Sequence, residues 1–519
     1  MTRFWRPIPE VDDAARRRGL DAFIGDGICS QVRESLHSGP LIVGYALLLG
    51  LSNTGVGLLA AIGPLTQILQ LPTVALIERW RRRKVITWCA ALASRVWWAA
   101  ALVLPWAVSP GNRLPVLFGC LVMATGFSTV AGAAWTPWIR DFLPADVLAR
   151  AFARRLSLAT GASALLGLAA GYAIDVLPRE GVSPVTAYTL VFGTGIGFGL
   201  LGLYYLARIP EPRMPESVRR PWADIFRAPL VDPDFRPVMI FLACWTFAAN
   251  LTAPFFSVYL LRRFGLPMAW VIGLTVLSQA MTALAFRSWG AVADRFDLRR
   301  VMRVSGMGFL LTVAAWPFIN LLESRPLMLA LLIGVHAVAG LATAGVNLGT
   351  GTLALQVAPR GEAAAYLATN ALISGIAAAL APTLAGISAD WLVTQRLTIT
   401  VQWSSTWGQR AAMALRPLDF RGLDFLWAAS VLVGLYAVHR LLALPAHEAG
   451  RDRAVLSAVL SEMGARASSP LRALSTVPGV RDIVELPFAL VARLVPERRH
   501  VGRERTRRMF PFGRRRSVE

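Results

Sequence analysis

Twelve stretches of this chain are each apolar and long enough to cross a lipid bilayer, and that succession leaves few folds open. A helix rising about 1.5 Å per residue needs roughly 20 mostly apolar residues to span about 30 Å of hydrocarbon. Such runs fall at 28–51, 54–77, 84–108, 114–137, 151–177 and 187–207, and again at 238–261, 267–290, 300–322, 326–350, 362–393 and 424–445. Between the sets, Pro210, Pro212, Pro215, Pro221, Pro229 and Pro233 interrupt a polar interval that cannot span and reads as a linker, with Trp222, Ile225 and Phe226 suited to the membrane surface. The expected organisation is a six-helix bundle over 1–207, a linker over 208–236, a second six-helix bundle over 237–446 and a basic tail over 447–519.

Composition agrees with a polytopic membrane protein. Of 519 residues, 55% are hydrophobic and only 16% charged, too much apolar surface to present to water. The net charge of +22 does not point to nucleic acid, because the arginines fall between and after the apolar runs and form no basic face with interleaved aromatics. Cys29, Cys89, Cys120 and Cys244 are widely spaced within the runs, so they read as small buried apolar residues with no disulfide and no metal site. The first twenty residues, with Asp12, Asp13 and three arginines, lack the apolar core of a cleavable signal.

The two sets are copies of one another. Ala75-Leu76-Ile77-Glu78-Arg79-Trp80 aligns with Ala291-Val292-Ala293-Asp294-Arg295-Phe296, and Arg83-Lys84-Val85 with Arg299-Arg300-Val301, at an offset of 216. Pro40 and Tyr45 match Pro254 and Tyr259 at 214, Gly57 matches Gly273 at 216, and Gly171 and Asp175 match Gly386 and Asp390 at 215. A near-constant offset from start to end marks an internal repeat. An even number of spans per copy puts both arginine-rich loops on one side, and arginine-rich short loops stay in the cytoplasm, so both termini are expected inside. On the opposite side Arg396–Leu423 is unusually long and is expected to lie at the interface as a short helix or a lid. Beyond Pro445, Ala454–Met463 and Val480–Val495 are amphipathic, and the arginines from Arg498 onward form a polybasic end. Such a tail favours anionic lipid by about 1 kcal/mol per basic group; a solvated tail is the alternative.

These features resemble the major facilitator superfamily of secondary transporters over about residues 28–446. The resemblance rests on the loop between the second and third helices of each half: Gly290, Asp294, Arg295, Arg299 and Arg300 in the second copy, and Glu78, Arg79, Arg83 and Lys84 in the first. Asp297 and Arg81 stand where the family has an inner glycine. The resemblance implies an all-α membrane protein of twelve transmembrane helices in two pseudo-symmetric six-helix bundles. It also implies that the loop acids act as latches, Glu78 against the start of the eleventh helix near Gly361 and Asp294 against that of the fifth near Arg150. There, unpaired backbone N–H groups favour negative charge by about 0.3–1 kcal/mol. Arg140 and Asp141, at the exit of the fourth helix, join the first loop's network. The alternative is that these charges only set orientation. The family's antiporter Gly-Pro pair in the fifth helix is missing here.

In this family the first, fourth, seventh and tenth helices line a central cavity, where polar groups are expensive unless they serve a purpose. Gln31, Arg33, Glu34 and His37 lie on the first helix, the last three close enough in spacing to share one face. They are candidates for substrate binding or proton coupling, or else an ion pair that anchors the helix low in the membrane. Asn250, His336 and Asn347 are the facing candidates from the other half. Arg95 is expected to brace its own bundle, and Trp245, Phe247 and Phe255 to pack in the core. The reading is a carrier, not an enzyme, with no cofactor: a secondary transporter of a small solute in the cytoplasmic membrane, proton-coupled, working as a monomer by alternating access. A membrane sensor or scaffold of the same fold, or an exporter of lipid-like molecules, stays open.

Overall fold

The computed structural model of the protein describes residues 7–9, 12–214, 228–322, 324–359, 363–403, 413–442, 455, 457–459 and 461–463. Gly361, Trp222, Ile225, Phe226 and nearly all of the basic tail, including its polybasic end, lie outside these residues. The chain divides into units Met1–Leu456 and Ser457–Glu519, and in the second only helical residues at 457–459 and 461–463 are described.

The first half consists of α1 (Asp13–His37), α2 (Gly39–Leu48), α3 (Asn53–Thr66), α4 (Gln70–Trp80), α5 (Arg83–Ala107), α6 (Arg113–Phe142), α7 (Ala145–Val176) and α8 (Pro184–Arg208). The second consists of α9 (Phe235–Thr252), α10 (Phe255–Val258), α11 (Met268–Ala293), α12 (Leu298–Ile319), α13 (Arg325–Val357), α14 (Ala363–Leu392) and α15 (Asp424–Leu442). Among the described residues, ten helical units are long and apolar enough to cross a membrane. The broken pair α1–α2 and the final α15 stand where the other two expected passes fall.

The first pass starts well before residue 28, the expected boundary. Asp12 caps it by accepting from the Ala15 N–H at 2.7 Å, and charged residues wind on because Ala22, Phe23 and Ile24 are buried against the bundle. Both leading passes then break at the same point of the repeat. Ser38 leaves the helix, Gly39 adopts φ +59° and Pro40 restarts it; in the second half Ala253 and Pro254 separate α9 from α10. Only a residue without a Cβ takes a positive φ cheaply, and proline fits the first turn of a helix because its missing N–H has no intrahelical role there.

Arg81, between α4 and α5, is the one described non-glycine residue with positive φ, at 49°. Its partner in the repeat, Asp297, is extended (φ −57°) and caps α12 by accepting from the Arg299 N–H at 3.0 Å, so that copy needs no glycine. Arg81→Gly is therefore expected to stabilise the protein by about 1 kcal/mol, read as a higher thermal midpoint in detergent. A lowered midpoint would mean that the arginine side chain matters more than its backbone strain.

Three apolar clusters show where the halves join. One runs across both, from Val32, Tyr45 and Val56 to Phe255, Tyr259, Met268, Ala385 and Trp427. The other two stay within a half: Phe23, Trp138, Ile139, Phe142 and Leu206 in the first, Phe235, Phe241, Met302, Leu353 and Leu441 in the second. The shared core lies toward the end that carries residues 49–52 and 264–267, and the separate cores lie toward the arginine-rich loops.

The long segment after α14 is a β-hairpin, neither helix nor simple lid. β1 (Arg396–Trp403) pairs antiparallel with β2 (Met413–Arg421), Leu397 opposite Phe420 and Ile399 opposite Leu418. Register shifts between Ile399 and Val401, where β2 sets two residues, Arg416 and Pro417, against the single Thr400; proline has no N–H for a ladder, so a bulge is where it fits. On the polar face Asp419 receives Arg396 at 2.8 Å, Thr398 at 3.0 Å and Arg421, and Arg421 foremost holds its carboxyl well below the usual range. Asp424, fully buried, then accepts from the Arg421 N–H at 2.9 Å and from Tyr259 and Asn320, tying the hairpin to α15. Among the cysteines, Cys89 departs from expectation by being exposed on the helix surface.

Candidate functional site

A cavity of about 370 Å³ lies between the halves where the two proline breaks face one another: Ser38 and Gly39 line it from one side, Ala253 and Pro254 from the other. α3, α5 and α6 contribute Val56, Leu59, Trp98, Ala124, Thr125 and Ser128, and α14 contributes Pro382. Its walls are largely apolar, with charge confined to Arg33 and Glu34 among the described lining residues.

Glycines on α8 admit the polar face of α1. A methyl group at Gly195 would stand 2.7 Å from the His37 ring, and one at Gly199 would stand 2.9 Å from the Arg33 chain and 3.3 Å from that of Arg95. His37 is buried; its ring stacks on Trp98 with centroids 4.1 Å apart, and its Nε2 donates to the Phe192 carbonyl at 2.9 Å, leaving Nδ1 without a partner. Arg33, 8% exposed, reaches Glu34 at 3.0 Å, and the Glu34 side chain is 57% exposed. Arg95 donates to the carbonyls of Ala91 (2.6 Å) and Gly199 (3.3 Å), within its own bundle. Two turns below Arg33, Asp26 pairs with Arg155 of α7 at 3.1 Å.

The structure therefore brings Arg33, Glu34, His37 and Asn250 to one cavity. Gln31 is exposed one turn below Glu34 and Asn347 is exposed on α13; neither lines the cavity. His336 packs against Trp316 with centroids 5.7 Å apart, its Nδ1 on the Leu332 carbonyl at 2.8 Å. Trp245 and Phe255 are buried, Trp245 against Phe309. Sequence reasoning missed Trp98 as a lining residue and Asp26 as a buried charge. Asp26 precedes residue 28, so the first run as drawn left it out.

The seal between the halves is built twice from one motif. In α7, Gly171 comes within van der Waals reach of Ala269, and Asp175 one turn on accepts from the N–H groups of Met268 and Ala269, both at 2.8 Å. In α14, Gly386 lies against Asn53 and Thr54, and Asp390 accepts from their N–H groups at 3.0 and 2.8 Å. Each carboxylate thus caps the first turn of a helix in the opposite half, where four N–H groups lack intrahelical partners. Gly57 meets the Pro382 carbonyl so closely that a side chain there would collide with backbone. The register match of Asp175 with Asp390 was visible in the sequence; that each reaches across the seam was not.

Toward the arginine-rich loops the halves part. α4 packs on α5 and α6 within its own half, whereas α3 packs heavily on α14. The ideal Cβ positions at Gly63, Gly161 and Gly290 meet nothing within 4 Å. Glu78 is half-buried, Asp294 and Arg295 are exposed, Arg79 and Arg140 are exposed, and Arg299 is half-buried with one guanidinium nitrogen unpartnered. Arg83, 1% exposed, anchors the first-half loop: it reaches Asp141 at 2.5 Å and the carbonyls of Pro137 and Pro212 at 3.1 Å, and its N–H donates to Glu211 at 2.5 Å. Burial pushes the Glu211 carboxyl up despite these donors. Glu211 stands between two prolines in the linker, and nothing in its local sequence signals the contact.

The sequence profile of the Major Facilitator Superfamily matches residues 28–414. No curated protein sequence matches the chain. Among solved structures, the nucleoside transporter NupG is similar at 12% identity with a TM-score of 0.58, covering 83% of this chain and 98% of that one. A bacterial homolog of the human lysosomal transporter Spinster, inward-facing and unoccupied, aligns at 16% identity and a TM-score of 0.54 over 87% and 98%. A D-xylose-proton symporter aligns at 12% and 0.57 over 83% and 98%. At such identities the likeness is one of fold.

Proposed function

The chain belongs to the major facilitator superfamily, and from that premise we propose that it carries a small solute across the cytoplasmic membrane by alternating access, coupled to protons. The observation that carries this reading is the cavity at the seam, lined from both halves, beside a seal at one end and parted bundles at the other. Arginine-rich loops remain cytoplasmic, so the parted end faces inward and the hairpin lies outside. Rocking the bundles would break the Asp175 and Asp390 caps and bring Glu78 and Asp294 toward helix starts of the opposite half. The resting and alternate states then exchange one pair of acid caps for another.

Glu34 and Arg33 supply the coupling. A proton on Glu34 removes the partner of a buried arginine at the cavity wall, so occupancy by solute and by proton become linked. Asn250 and His37 complete the polar set at the cavity. In proteoliposomes with an imposed pH gradient, Glu34→Gln should lower solute accumulation roughly tenfold, about 1.4 kcal/mol of lost coupling, while unlabelled solute inside still exchanges with labelled solute outside. Binding without flux for every solute in a metabolite screen would instead mark a sensor.

A further inference from the structure

We propose that the central cavity takes an amphipathic organic monoanion, a carboxylate with an aliphatic or aromatic body. This rests on the carrier reading of the same site and adds to it the class of solute.

Three observations converge. The charged groups at and behind the wall are Arg33, Arg95 and Arg155 against Glu34 and Asp26, an excess of one positive charge. Arg33 pairs with Glu34 and Arg155 with Asp26, while Arg95 is held by carbonyl oxygens and shares the fields of the same two carboxylates. Three largely buried cations against two carboxylates are costly, so a bound anion lowers the energy of the whole cluster.

The break in the first pass supplies the second observation. α2 begins at Gly39, inside the cavity, and no side chain caps its first turn; Ser38 instead turns its hydroxyl back to the Glu34 carbonyl at 2.7 Å, closing the end of α1. A helix start of this kind favours a negative group, and broken membrane helices present theirs where solute binds. Thirdly, a donor on the same wall is buried yet incomplete: Arg33 Nε, on a residue 8% exposed, has no hydrogen-bond partner and can donate to a carboxylate oxygen. The remaining walls, Ile42, Val43, Val56, Leu59 and Trp98, suit an apolar body and offer nothing to a second charge.

The test uses the purified full-length protein in detergent and three probes of one skeleton: 4-phenylbutyrate, its amide, and the corresponding amine. Ligand-induced shifts in the thermal midpoint should give the acid an apparent affinity at least about tenfold above that of the amide, because charge-assisted contacts are about twice as strong as neutral ones, and the amine should give no shift. Arg33→Gln should abolish the preference for acid over amide, Arg33→Lys should retain part of it, and Asp390→Asn, at the seal, should leave it within about twofold. An amide that binds as well as the acid, an amine that binds best, or an acid preference untouched by Arg33→Gln would each overturn the proposal. Flux separates it from the carrier reading: acid binding with no acid flux in proteoliposomes defeats the carrier and keeps the anion site. Flux of a neutral or cationic solute with no acid binding does the reverse.

Discussion

Replacing Asp175 and Asp390 together by alanine should move the protein toward the state open at the hairpin end by about 30- to 1000-fold. Each carboxylate accepts two backbone N–H groups of the facing helix, at 2.8 to 3.0 Å. Charge-assisted bonds of this kind at a helix start contribute about 1–2 kcal/mol per acid, and two such caps about 2–4 kcal/mol. The glycines one turn earlier keep the backbones close, so the caps are lost without new contacts replacing them. Each single variant should give about half the shift in free energy, since the two seals lie in different helix pairs. Nitroxide labels at Ser183 and Arg325, both exposed and in opposite halves, report the opening as a longer distance in pulsed electron resonance, with the four native cysteines replaced. An unchanged distance distribution in a folded double variant would mean that packing alone holds this end shut.

Arg83→Met should destabilise the first half by about 3–5 kcal/mol, the cost of leaving a buried partner charge unpaired. The arginine is 1% exposed and its neighbour Glu211 3% exposed, so water cannot replace the lost contact. Asp141, at the end of α6, and the carbonyls of Pro137 and Pro212 lose their donor as well. The informative comparison is Arg83→Met with Glu211→Met: removing both charges should recover part of the loss, and not all of it, because Glu211 also accepts from the Arg83 N–H and faces the buried Lys84. Thermal midpoints of the single and double variants measure this. A double variant less stable than Arg83→Met alone would show that Glu211 acts through its bonds to the Arg83 backbone and not through charge.

How far the chain could be read in advance depended on which variable was asked for. Hydrophobic length gives the number of passes almost directly, since an apolar run of sufficient length has no other stable place. Repeat offsets paired Pro40 with Pro254 and Asp175 with Asp390, but that both prolines break their passes came from the fold. Boundaries were weaker where charge and helix coexist: α1 continues through Arg16, Arg17 and Arg18 because its apolar face is covered by the bundle. The segment after α14 alternates polar and apolar residues, Arg396-Leu397-Thr398-Ile399, the pattern of a strand, while its length and tryptophans suggest an interfacial helix or lid.

The sequence by itself determined the order of elements along the membrane normal, the duplication, and which residues are polar at each depth, because a helix fixes the rise per residue. Only the tertiary structure decided what each polar residue faces. His37 and His336 are both histidines in apolar helices, yet one stacks beside a cavity and the other packs on Trp316. Rotation of a helix about its axis is set by the shapes of its neighbours, here the glycines of α8 that admit Arg33 and Arg95. Likewise, sequence paired Asp175 with Asp390 but could not say that each caps a helix across the seam. That choice belongs to the packing of one half against the other, where a shared apolar core formed at the hairpin end and two separate cores at the arginine end.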